Sequence, residues 1–293
     1  MRILILLLFP LFSFSQLSIG ILESSRIKKL LLDSFPSTAS ALSLRKISAT
    51  YNGNCIKVRR SSDNVEQNIG FANNILDTTS LKTFIGINDA FVTTWYDQSS
   101  MGNNAIQTTA ANQPKIIVSG AINYDNNKPS ILFSGNSFLN TNTFLNGNSI
   151  LNLFTVCNFK TANAYEMLFT TTDATSTNIW FELRRQASYD NIEIYGAYTT
   201  ASALVNYGTT INAIKLLSIL RNGTSFISYT NNALGTNNNV LASNYNSTQS
   251  IIGARYDGFY FNGNISEIIF YINNNSSNRV TIQNNINSFY NIY

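Results

Sequence analysis

The sequence predicts an all-β protein, an antiparallel jelly-roll β-sandwich with short terminal helices, and three observations lead there. Strand-length runs rich in β-branched and aromatic residues recur along the chain, among them "FVTTWY", "SILFSG", "LFTVCNF", "NIEIYGAY" and "EIIFYI". Asn-rich clusters such as "NNKP", "NTNTFLNGN" and "INNNSSN" fall between these runs and read as turns. Neither a Pro/Gly/Ser linker nor a repeat of fixed period interrupts the alternation, so residues 16–293 are expected to form one domain.

The elements follow in chain order. Residues 1–15 read as a secretory signal peptide: Arg2 is the positive start, Ile3 to Phe12 the apolar stretch, and Ser13-Phe14-Ser15 the small residues before cleavage. That stretch is too short to span a membrane, so the mature chain is expected to be secreted or held at the cell surface, with no membrane span. Ile19 to Asp33 suits a first helix. Strands then run from about residue 40 to about residue 275. Ile282, Ile286, Phe289 and Tyr293 stand at helical spacing after "NSSN", which supplies a cap, so helices are expected only at the two edges. Export permits one bridge between Cys55 and Cys157, the two cysteines, which would stabilise the fold by roughly 2–4 kcal/mol.

Charge and composition exclude several functions. Nineteen Lys and Arg against 15 Asp and Glu give a net charge of +4, and cleavage after the signal removes Arg2. So small an excess does not indicate nucleic acid, and the densest basic run, Lys57, Arg59 and Arg60, alternates with Ile56 and Val58 as an exposed strand face does. The chain has no His. This excludes Ser-His-Asp and Cys-His nucleophile systems and the usual His-bearing zinc sites, so any proton transfer falls to carboxylates.

The loop "TWYDQSSMGNNAIQTT", residues 94–109, admits three readings. Asp97 accepts backbone N–H groups and fixes a turn in which Gly102 takes positive φ; or Asp97, Asn103 and Asn104 hold calcium; or the loop touches glycan. The first is favoured, because calcium sites gather more carboxylate oxygens than one Asp supplies. Trp95 and Trp180 sit amid apolar strand residues, which favours core packing over sugar stacking. Glu267 alternates with Ile268 and is expected to point outward.

The order of several motifs carries a resemblance. Ser43-Leu44-Arg45, Arg60-Ser61-Ser62-Asp63, Tyr96-Asp97-Gln98-Ser99 and Gln113-Pro114 follow one another as in the fungal-type α-L-arabinofuranosidase B catalytic domain and its bacterial relatives, which the chain resembles. "FNGNISEIIFY" and the closing helix resemble the end of concanavalin A-like and laminin-G-like sandwiches. The resemblance implies a secreted glycosidase with a jelly-roll domain, no cofactor and no metal, acting on arabinose-containing plant polysaccharide by a retaining mechanism. Arg45, Arg60 and Asp63 are shared motif positions that suit a structural ion pair.

That mechanism needs two carboxyls about 5–5.5 Å apart. The resemblance implies Asp257 as acid/base, because "IIGARYDG" places it four residues after Gly253 as in the family. The nucleophile strand departs from the pattern. "NIWFELRR" puts Glu182 on the family's Asp and Arg184 on its Glu, and a two-residue slip makes Glu182 the nucleophile on the same strand face. The family's adjacent Cys pair has no equivalent near "AYEMLFTTTDATS". Glu193, across a hairpin turning near Ala187, is the reserve candidate. Two functions therefore stay open, a glycoside hydrolase acting on polysaccharide and a non-catalytic module that binds glycan or protein, with a structural surface component as a third; the oligomeric state is not legible.

Overall fold

The computed structural model describes residues 29–161, 165–173, 179–186, 191–196, 202–205, 211–235, 238–239 and 244–293. The signal segment and the turn at Ala187 lie outside the described residues, as does most of the expected first helix, of which Leu31–Ser34 is seen.

Two antiparallel layers are built from the runs picked out above. One places Thr38–Ser43 beside Gly263–Tyr271, then Ile150–Phe159, Lys215–Asn222 and Ser225–Thr230. The other runs from Ile56–Arg60 through Ala90–Trp95, Ala105–Ile106, Leu139–Thr141, Gln249–Ile252 and Glu166–Thr172 to Ile179–Gln186 and Asn191–Gly196. Ile131–Phe133 pairs with Gly263–Tyr271 on one side and Lys115 on the other, which links the layers. Alternation then dictates the core: Leu153, Leu217, Ile268 and Phe270 from one layer meet Val58, Val92, Phe169 and Phe181 from the other. The outer face of the first layer is apolar too, and helix Arg279–Tyr290 covers it with Ile282, Ile286 and Tyr290 against Phe154, Val156, Ile269 and Tyr271.

Several expectations are corrected. A helix, Thr78–Ile85, lies inside the chain rather than at an edge; Asp77 caps it by accepting Ser80 N–H at 3.0 Å, and Gly86 ends it at φ 62°. Tyr293 lies beyond the end of the last helix and is exposed, and Tyr290 takes the buried position. Cys55 and Cys157 are both buried and free, and burial raises both thiols. Glu267 does point to the outer face of its layer, but the closing helix covers that face and keeps it from solvent. It is fully buried, and its carboxylate accepts from Arg45 Nε at 2.7 Å, Arg45 Nη2 at 3.0 Å and the Ser43 hydroxyl at 2.6 Å. Plain alternation with Ile268 and Phe270 of the core sets Glu267 beside Ile269 and Tyr271 on the face that helix Arg279–Tyr290 covers, so the side chain meets the helix instead of water. Arg60 pairs with Asp63 at 2.6 Å.

The loop at 94–109 is a turn. Asp97 Oδ1 accepts the backbone N–H groups of Ala41 and Ser99, each at 2.8 Å, and Oδ2 accepts Asn103 N–H at 2.9 Å and the Ser99 hydroxyl at 2.6 Å. Gly102 has φ 74°, and Ser100 joins it at 69°. Asp97 thus ties the loop to strand Thr38–Ser43. Trp95 is fully buried; Trp180 is partly buried, packs against the same core and donates to Asp173.

Candidate active site

The site forms where two neighbouring segments of the second layer reach one end of the sheet. Strand Ile179–Gln186 pairs with Glu166–Thr172, which pairs in turn with Gln249–Ile252. Directly after Ile252 the chain must turn under Phe133, and Gly253 makes this possible. It has φ 91°, and a Cβ there would lie 2.5 Å from the Phe133 ring. A tight loop follows, closed by the Ala254–Tyr260 bridge and by Arg255 N–H donating to the Phe259 carbonyl at 2.9 Å.

This turn delivers Arg255 and Asp257 to the same place. Arg255 grips Asp257 along one edge of its guanidinium, Nε to Oδ1 at 2.7 Å and Nη2 to Oδ2 at 2.8 Å. Its remaining nitrogen, Nη1, donates to Glu182 Oε1 at 2.8 Å, and Glu182 Oε2 accepts from Arg184 Nη1 at 2.8 Å. Two carboxylates and two arginines form one neutral chain, and Asp257 and Glu182 are separated by a single guanidinium. Glu182 is fully enclosed, whereas the Asp257 side chain is 33% exposed. Burial alone would lower the Arg255 pKa, but its hydrogen bonds to Asp257 and Glu182 outweigh this and hold it above its ordinary value.

A cavity of about 350 Å³ opens beside Arg255, lined by Asn112, Phe138, Gln249, Tyr256 and Tyr260 among others. Asp257 and Glu182 meet it through Arg255 rather than lining it themselves. Glu193 pairs with Arg184 in the strand ladder, while Tyr195 pairs with Glu182, so the reserve candidate is two ladder positions removed from Glu182. Sequence reasoning missed Arg255. Its signal lay in the Arg-x-Asp spacing of "ARYDG" just after Gly253, where a turn can bring the two charges together, beside Glu-x-Arg in "FELRR", where strand alternation does so.

Next to this chain of charges stands Glu166, paired with Arg185 in the ladder. Burial pushes it from 4.5 up to about 7, against a hydrogen bond from Thr161 and the charge of Arg185. Between those two values the folded protein binds more protons than the unfolded chain, so stability falls as pH rises through the window. Glu166→Gln is expected to abolish this slope. Urea midpoints at about pH 5 and about pH 7.5 measure it, and a slope unchanged in the variant refutes the assignment.

Comparison with known proteins bears on family and fold. The sequence model of the family described as "Alpha-L-arabinofuranosidase B, catalytic" matches residues 33–178 and so ends just before Glu182. An arabinofuranosidase crystallised with arabinofuranosyl-α-1,2-xylobiose superposes with a TM-score of 0.65 at 15% identity, covering 85% of this chain and 62% of that one. A family 54 glycoside hydrolase, an α-L-arabinofuranosidase soaked with a cyclic sulfate inhibitor, gives 0.66 at 16% identity with the same coverage of both chains. At such identity the superpositions show a shared sandwich fold, and the chain spans 62% of the length of these relatives. No curated protein matches the chain in sequence.

Proposed function

The chain belongs, through residues 33–178, to the α-L-arabinofuranosidase B catalytic-domain family, and on that premise we propose that it is a glycoside hydrolase of α-L-arabinofuranosidase type, exported to act on arabinose-containing polysaccharide. One observation carries the reading beyond the matched residues. Glu182 and Asp257, from segments more than 70 residues apart, converge on the same guanidinium. In the proposed reaction Glu182 attacks the anomeric carbon while Asp257 protonates the departing oxygen; Asp257 then takes a proton from water, which releases the sugar from Glu182 with retention. Arg255 fills the space in which the anomeric carbon must sit, so productive binding swings its side chain out from between the carboxylates. Until then it keeps both oriented.

A specific observation favours a second reading, non-catalytic glycan recognition. Both oxygens of Glu182 are taken by arginines, and Arg184 stands where the family pattern has a carboxylate. The separating experiment uses the chain on an aryl α-L-arabinofuranoside and in gels containing arabinoxylan. Release of the phenol supports the hydrolase. Retardation in the gel without any phenol release supports the binding module.

A further inference from the structure

Two exposed rings ride on the arginines of this site. The Arg184 guanidinium lies 5.1 Å from the centroid of Tyr165, the Arg255 guanidinium 4.7 Å from that of Phe259, and the two rings meet edge to face at 5.6 Å and 69°. Each residue is 37% exposed. Cations beneath and each ring beside the other hold this pair in position, with ring surface still open to solvent.

The backbone at Tyr165 adds an independent observation. Its φ is 58°, and it is the one residue with positive φ among the described residues that is neither Gly, Asn nor Ser. Asn and Ser reach that region with help from short polar side chains; a bulky aromatic residue has no such compensation, and strain of this kind collects at ligand clamps. Here it holds a phenol ring beside the charged site.

We propose that Tyr165 and Phe259 form a platform on which a neutral sugar of the polysaccharide stacks, just outside the Glu182–Asp257 pair. The inference rests on the glycan reading of the site, whether hydrolytic or not. The ligand class follows from the surroundings. The four charges that bind one another here, Arg184, Glu182, Arg255 and Asp257, sum to zero, which favours a neutral ligand. A ring face suits the C–H face of a sugar, and Asn112, Gln249 and Tyr256 at the adjoining cavity supply donors and acceptors for its hydroxyls.

The test is retardation of the whole chain in gels containing soluble arabinoxylan, comparing wild type with Tyr165→Gly, Tyr165→Phe and Phe259→Ala. Tyr165→Gly and Phe259→Ala are expected to bind about fivefold more weakly, while Tyr165→Phe, which keeps the ring, stays within about twofold of wild type. Because Gly accepts positive φ without strain, Tyr165→Gly should also melt no lower than wild type. Loss of binding at undiminished stability separates a platform from a ring that merely packs. Wild-type affinity in both ring-removing variants, or a wild type that arabinoxylan does not retard, overturns the proposal. Turnover of the aryl substrate is read separately: an inert wild type whose retardation depends on Tyr165 removes the hydrolase and leaves the platform standing.

Discussion

Asp257→Asn is expected to slow hydrolysis of an aryl α-L-arabinofuranoside by roughly a hundredfold and to slow release of arabinose from arabinoxylan by more. The Asn amide still accepts a hydrogen bond from Arg255, so the loop keeps its shape, but it has no proton to deliver to the departing oxygen and cannot take one from water. An activated phenol leaves with little protonic help, whereas a sugar alcohol needs it fully, and this is why the loss depends on the leaving group. Glu182→Gln is expected to abolish turnover of both substrates, because an amide cannot form the glycosyl ester. Gln also leaves Arg184 and Arg255 facing a neutral group in an enclosed site, so each variant needs a melting curve beside its kcat/KM. Unchanged aryl turnover in a folded Asp257→Asn protein removes Asp257 from the chemistry. Equal losses on the two substrates point instead to a positioning role through Arg255.

The fold was legible where one residue pattern sufficed. "LFTVCNF" and "EIIFYI" are apolar on both faces, and they become neighbouring strands because the core covers one side and the terminal helix the other. Helix Thr78–Ile85 escaped notice although its boundaries were written in Asp77 and Gly86, because eight residues between strand signals offer little periodicity. The site was legible in residue type and not in partnership. That Asp257 and Glu182 are carboxylates is local information; that Arg255 binds both depends on three strands pairing in a register that no short segment contains. Glu267 fails for a related reason: alternation with Ile268 assigns its face correctly, but nothing in the strand tells that the closing helix covers that face.

Under that helix Glu267 forms a buried ion pair with Arg45, and Arg45→Met is expected to destabilise the protein by about 3–5 kcal/mol. Arg45 holds Glu267 along two nitrogens, reaches Asn285 with a third at 3.0 Å, and lies against the rings of Phe289 and Tyr290. It therefore pins strand Gly263–Tyr271 to the closing helix as well as neutralising a carboxylate that is fully shielded from water. Met preserves much of the apolar stem and its ring contacts, so the loss reports the missing charge rather than a cavity. Without the guanidinium, the hydroxyls of Ser43 and Tyr290 remain within hydrogen-bond reach of Glu267, and these do not compensate a buried negative charge. Urea midpoints of wild type and Arg45→Met measure the loss. A loss below about 1 kcal/mol means that the pair adds nothing beyond its packing.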